Sequence, residues 1–141
     1  MPEQDQESRN QQVIREFRAN GGRVGGFYAG MPLLLLTTTG ARSGRSHTTP
    51  LTYLADGDRY VVVAAAGGAA AGPDWYHNLL ARPQVTVEAG TGEFEAAALV
   101  ITGAEREVMF QRFAAAQPLL TRYQSMTTRQ IPVVALVPPA T

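Results

Sequence analysis

Two tight-turn signals decide what kind of sheet this chain can build. Thr48–Ala55 and Arg59–Ala65 are strand-like segments separated only by Asp56-Gly57-Asp58, and Gln84–Ala89 and Glu93–Ile101 flank Gly90-Thr-Gly92 in the same way. So short a connection cannot cross over a sheet, so each pair must be antiparallel, and glycine supplies the positive φ that such turns demand. Leu33–Thr39 adds an apolar strand, with Gly40-Ala-Arg-Ser-Gly44 as its turn. Ile131–Val137 reads as a last strand, with Pro132 near its start, where a missing N–H does least harm. Short strands joined in hairpins point to a small antiparallel barrel. At 141 residues, 45% of them hydrophobic, the chain has the material for one such domain and its core.

The helices are accessory, which makes the fold class mainly β with helices added (α+β). Val13, Ile14 and Phe17 recur at helical spacing over about 10–19, and Asn20-Gly-Gly-Arg-Val-Gly-Gly26 then reads as a flexible connection. Residues 1–20 are thus an N-terminal helix or flexible arm, and residues 21–141 the barrel. Arg9, Arg15 and Arg18 lie near that apolar face, which either packs on the domain or rests on a membrane surface. After the small-residue loop Ala66–Gly72, Pro73 is placed to open a short helix, with Asp74 at its positive end and Trp75, Leu79 and Leu80 as its apolar stripe. Thr102 and Glu105 match a capping box before Val108, Met109, Phe110 and Phe113, whereas 117–130 is polar and irregular.

Composition removes several chemistries. The twelve basic residues are all arginine, which excludes lysine Schiff bases and Walker-type loops, and the absence of cysteine excludes thiol nucleophiles and thiolate metal sites. Two histidines are too few for a His-based metal site, and none is expected. Twelve acids balance the arginines, and no aromatic-basic stripe is present, so nucleic acid is not an expected partner. Met31–Leu36 is far shorter than the roughly 20 apolar residues of a membrane span. The expectation is a soluble, cytoplasmic protein of unspecified oligomeric state, with peripheral membrane contact through the N-terminal segment left open.

Charge locates the candidate site. Between Phe17 and Ala55 stand Arg18, Arg23, Arg42 and Arg45 and no acid. Two of these arginines lie in Thr37-Thr-Thr-Gly-Ala-Arg-Ser-Gly-Arg-Ser-His-Thr-Thr49, where hydroxyls, glycine N–H groups and guanidinium forks could together bind phosphate, or form a solvated polar turn. Gly67 and Gly68 would let backbone approach a flat ligand beside Trp75 and Tyr76, although Trp75 also suits a core anchor. His77 has no carboxylate patterned to orient it, and Ser43, Ser46 and Ser125 show no nucleophile elbow. Tyr123 is a candidate proton donor or ring contact.

Read in order, Gly21-Gly-Arg-Val-Gly-Gly26, Leu34-Leu-Leu-Thr-Thr-Thr-Gly40, Arg42-Ser-Gly44, Thr49-Pro-Leu51, Gly67-Gly68, Pro73-Asp-Trp-Tyr-His-Asn-Leu79, Ala81-Arg-Pro83, Tyr123-Gln-Ser125 and Arg129-Gln-Ile-Pro-Val-Val134 resemble the deazaflavin-dependent nitroreductase family. The resemblance implies a split β-barrel of the FMN-binding-like type and, as cofactor, reduced 8-hydroxy-5-deazaflavin, coenzyme F420. Carried over by position, it implies a cofactor site at Arg42, Ser43, Gly44, Arg45, Ser46, His47, Thr48, Thr49 and Pro50. The pocket for the ring would continue through Val63, Ala64, Ala65, Ala66, Gly67 and Gly68 to Pro73, Asp74, Trp75, Tyr76 and Asn78. Gln117, Leu120 and Tyr123 fall where nitroimidazole-activating members carry tyrosines, which makes them substrate candidates, with Tyr123 also the catalytic candidate. The chain departs from the family pattern at Ala41, His47, Ala65 and Ala66, where basic residues or a Ser-Lys pair often stand. The implied activity is hydride transfer to a small electron-poor acceptor such as a quinone, an enone or a nitro compound. An FMN-binding oxidoreductase and a non-catalytic deazaflavin carrier remain as alternatives.

Overall fold

The computed structural model describes residues 2–65 and 73–139, apart from the side chains of 2–8 and Phe27. Its elements run α1 (Pro2–Ala19), a single 3-10 turn (Gly26–Tyr28), β1 (Leu33–Thr39), β2 (Ser46–Thr52), β3 (Leu54–Asp56), β4 (Arg59–Val63), α2 (Asp74–Ala81), β5 (Gln84–Ala89), β6 (Gly92–Ile101), α3 (Gly103–Ala116), α4 (Leu119–Ser125) and β7 (Val133–Val137). The strands form one antiparallel sheet in the order β2-β1-β5-β6-β7-β4-β3. Its two edge strands, β2 and β3, are separated in sequence by Tyr53 alone, so the sheet must roll until its edges nearly meet. That is the split barrel.

The leucine run of β1 hides a period of two. Leu34 and Leu36 point into the barrel with Val62, Val87, Val134 and Leu136, and Trp75 and Leu79 of α2 join this core. Leu33 and Leu35 point the other way and meet Ile14 and Phe17 of α1. Likewise Val61, Val133 and Ala135 face outward onto Met109, Phe110 and Phe113 of α3. Helices covering the outer face therefore turn an alternating strand into a continuous apolar run.

Several expectations change. The face of Ile14 and Phe17 is buried in the protein, at 4% and 1% exposure, so it is not a membrane face; no helix among the described residues is long and apolar enough to cross a membrane. Burying those two side chains contributes about 1.5–3 kcal/mol each, more than the exposed Arg18–Glu88 ion pair beside them. The glycine-rich connection is a packed joint: Gly22 donates to the Phe17 carbonyl at 2.8 Å, and a Cβ on Gly22 would come within 2.8 Å of the Gly90 backbone. Strand 48–55 is broken at Tyr53, because β2 pairs with β1 and only β3 pairs with β4. Pro73 caps α2 rather than opening it, and Leu80 is exposed. Thr102 is the N-cap of α3, but no side-chain capping bond forms, and Glu105 bonds Arg59 instead. Segment 117–130 contains α4, and Gln124 fastens its end by donating to the Arg129 carbonyl and accepting from the Ile131 N–H.

Candidate functional site

The β1–β2 turn is a built structure. The Gly40 N–H donates to the Arg45 carbonyl at 2.7 Å, the Gly44 N–H to the Gly40 carbonyl at 3.0 Å, and the Arg45 N–H to Ser43 Oγ at 3.1 Å. Gly44 takes φ 71°, a left-handed value that glycine adopts without strain. Gly40 has no room for a side chain, since a Cβ there would stand 2.5 Å from Ser43 Oγ and 3.1 Å from His47 Nε2. Asn78 ties the turn to α2: its Oδ1 accepts the Ala41 N–H at 3.0 Å and its Nδ2 donates to Thr38 Oγ1 at 3.2 Å. Asn78 thus shapes the turn from beneath.

A polar cavity of about 730 Å³ lies over this turn, lined by Arg42, Ser43, Ser46, His47, Thr48 and Thr49, by Asp74, Trp75, His77 and Asn78 of α2, and by Asn10 and Gln11 of α1. Asp74 is the one acidic group in that lining among the described residues. Of the four arginines in the acid-free stretch, Arg42 lines this cavity and the other three do not, and Arg18 is committed to Glu88 at 2.8 Å. Arg45 and Gly44 belong to the turn but line neither cavity, and both are exposed.

A second chamber of about 580 Å³ is lined by Pro50, Thr52, Val63, Ala65, Pro73, Phe113, Gln117, Leu120 and Tyr123 among others. Both volumes fall in the range of small-molecule sites, about 300–1,000 Å³. Asn10, Thr49 and Trp75 line both, so the two cavities meet at a neck. Trp75 is at once core anchor and site wall, with 6% of its surface exposed. Ala64 is fully buried in the barrel core and Tyr76 packs edge-on against Trp75, and neither lines a cavity. Ala66, Gly67 and Gly68 lie outside the described residues. Arg129 Nη2 donates to the carbonyls of Ala64 and Ala65 at 3.0 Å each, which fixes the chain where β4 leaves the sheet beside the chamber.

Sequence reasoning did not find Asn10, Gln11, Tyr28, Leu119 or the Thr52–Gln117 pair, whose Oγ1 donates to Oε1 at 3.0 Å. Asn10 and Gln11 are ordinary polar residues of an amphipathic helix, and only its docking puts them at the neck. Tyr28 follows a glycine-rich stretch that carries no pattern. Burial pushes the Tyr28 phenol above the usual tyrosine value, and nearby Tyr123 raises it further. In chemical terms the site pairs a hydroxyl- and arginine-bearing surface, suited to phosphate, with an apolar chamber carrying two phenols, suited to a flat uncharged molecule.

Residues 8–138 match the F420H(2)-dependent quinone reductase family. An F420H(2)-dependent quinone reductase of Mycobacterium tuberculosis is 39% identical over 129 residues, covering 85% of this chain and 83% of that protein. The solved structure of an F420-H2-dependent reductase, FDR-A, is 37% identical and aligns with a TM-score of 0.69 over 74% of this chain and 93% of its own. A second structure, described as a domain-swapped dimer, is 32% identical with a TM-score of 0.71, over 96% of this chain and 99% of its own. These matches favour the deazaflavin and lend no support to FMN, which the residues alone left open. Matched over nearly its whole length and built on the same barrel, this chain belongs to the F420H(2)-dependent quinone reductase family of oxidoreductases.

Proposed function

We propose that this protein reduces a quinone with a hydride taken from reduced coenzyme F420, working in the cytoplasm. The observation that carries the proposal is the neck: a phosphate-suited cavity adjoins an apolar chamber and shares Asn10, Thr49 and Trp75 with it. The donor set fits the cofactor's two chemistries, an anionic tail and a flat heteroaromatic ring. Arg42, Ser43, Ser46 and His47, with the backbone of the β1–β2 turn, would hold the phosphate. Val63, Ala65, Pro73 and Trp75 would hold the ring, and Ala66, Gly67 and Gly68 adjoin them in sequence. When bound, the reduced deazaflavin supplies a hydride, two electrons and one proton, and a second proton completes the hydroquinone.

The chain's own work is positional. Phe113, Leu119 and Leu120 keep the chamber apolar, which strengthens any hydrogen bond made inside it. Gln117 and Tyr123 line the chamber that would take the acceptor, and the Tyr123 O–H would donate to an oxygen on which negative charge develops, with solvent as the other proton source. Enones and nitro compounds share the demand for a hydride and a donor, so the same chamber extends to them.

A fluorescence titration of the purified protein with F420, run beside FMN at the same salt, tests the cofactor. Anaerobic mixing of the F420H2-loaded protein with menadione tests the reaction. Selective F420 binding followed by oxidation of F420H2 is the expected result. FMN preference would refute the cofactor assignment, and binding without turnover across quinones, enones and nitro compounds would make the protein a carrier.

A further inference from the structure

We propose that Tyr28 is a second acceptor-binding residue, which together with Tyr123 holds the two carbonyl oxygens of a bound quinone from two independent elements. The inference rests on the quinone reading above and adds to it a residue and a mode of recognition. Within the apolar chamber few side chains can donate a hydrogen bond to a ligand. Asn10 and Thr49 stand at the neck shared with the polar cavity, and the Thr52 hydroxyl is already directed to Gln117 Oε1 at 3.0 Å. Besides the Gln117 amide and the Trp75 indole N–H, the chamber's lining carries two phenols, Tyr28 and Tyr123, whose O–H groups can donate to a carbonyl oxygen.

Their placement is rigid for different reasons. Tyr28 ends the 3-10 turn, whose backbone is closed by Ala29 N–H to Gly26 O at 3.1 Å and Met31 N–H to Tyr28 O at 3.0 Å. Its ring packs on the cluster of Ile14, Phe17, Leu33 and Leu35 that docks α1. Tyr123 comes from α4 and packs on the opposite cluster, against α3 and β7. Both residues line the same chamber, and burial holds the Tyr28 phenol above the usual tyrosine value, so that it keeps its proton at neutral pH and can donate. Two fixed donors reached from separate elements recognise a ligand with two acceptors better than one with a single acceptor, and both bonds strengthen as charge moves onto the oxygens during reduction.

Trp75 is the chain's single tryptophan and lines the same chamber, so acceptor binding can be read without turnover, as quenching of its fluorescence. Wild-type protein should bind 1,4-naphthoquinone saturably and more tightly than 1-tetralone, which has one carbonyl. Tyr28→Phe should weaken naphthoquinone binding about three- to ten-fold, the size of one neutral hydrogen bond, and erase most of the preference over tetralone. F420 titration and melting temperature should not move, which separates loss of a contact from loss of structure. Equal naphthoquinone affinity in Tyr28→Phe overturns the proposal. So does a wild-type protein that shows no preference for the two-carbonyl ligand, which keeps the idea open to refutation even where the variant folds poorly. Failure of F420 to bind would refute the cofactor assignment and leave the naphthoquinone comparison standing.

Discussion

Arg106 looks from the sequence like a surface residue of α3 and a natural neutral control for Arg42. The structure reverses that. Only 6% of Arg106 is exposed; its Nη2 donates to the Ile131 carbonyl, its Nη1 to Glu107 at 2.9 Å, and its guanidinium carbon lies 4.4 Å from the centre of the Phe110 ring. Arg106→Ala would strand the buried Ile131 carbonyl, at about 1–3 kcal/mol, remove a cation–π contact of about 0.5–2 kcal/mol, and lose about 1.6 kcal/mol of burial by two stem methylenes. One term opposes these: Arg106 Nε is buried without a hydrogen-bond partner, so truncation also relieves a desolvation cost of about 1–3 kcal/mol. The net expectation is a loss of about 2–4 kcal/mol, and Arg106→Met, which keeps the stem, should recover about half of it. Urea unfolding with an unchanged m-value is the assay, because a change in midpoint alone then reports stability. Neither cavity is lined by Arg106, so F420 affinity of the folded variant should equal that of wild type. A variant within about 0.5 kcal/mol of wild type, the ordinary range for surface substitutions, would refute this account of α3 docking.

Three further expectations concern the site and its frame. Arg42→Ala should weaken F420 binding roughly ten- to a hundred-fold, the worth of a charge-assisted hydrogen bond, at unchanged stability, whereas Arg82→Ala at the far end of α2 should leave affinity alone; isothermal titration of both decides. Asn78→Ala cuts both of the ties between α2 and the β1–β2 turn and should cost about 1–2 kcal/mol in urea unfolding, with F420 affinity falling as the turn loosens. Asp56 accepts bonds from Arg59 and Arg112, which hold its carboxyl below the usual aspartate value. A depressed folded-state pKa contributes stability that is fully present above the unfolded value of about 3.9 and is lost as pH falls through the folded one. Asp56→Asn should therefore melt below wild type at pH 7, and the two melting temperatures should converge on acidification; a gap that persists at the lowest pH would refute the ionic role.

Part of the candidate site is local enough to be marked by sequence, for a physical reason. The turn proposed to hold phosphate is local: Arg42, Ser43, Ser46 and His47 lie within six positions on one hairpin, so composition alone marks it as a candidate. The neck is not local. Asn10, Thr49 and Trp75 come from three elements, and the polar residues that α1 brings to the site are set by the angle at which Ile14 and Phe17 dock on Leu33 and Leu35. α4 escaped notice because its seven residues bury only Leu120, too short a pattern to rise above a polar segment. The capping box at Thr102 misled for a related reason: Arg59, distant in sequence, draws Glu105 away from the helix end.

An antiparallel β domain follows from the chain's turns, since those at Asp56-Gly57-Asp58 and Gly90-Thr91 are too short for any other connection. An acid-free stretch of arginine and hydroxyls also marks the turn proposed to bind phosphate. The split at Tyr53 of the strand from Ser46 to Asp56, which serves both edges of the rolled sheet, emerges only in the folded protein. The same holds for the burial of Arg106, the inward-facing N-terminal helix and the chamber that Tyr28 shares with Tyr123. Local turn chemistry acts over a few bonds and can be read from neighbours, whereas these outcomes depend on which buried faces meet, and that is settled by packing between residues far apart in the chain.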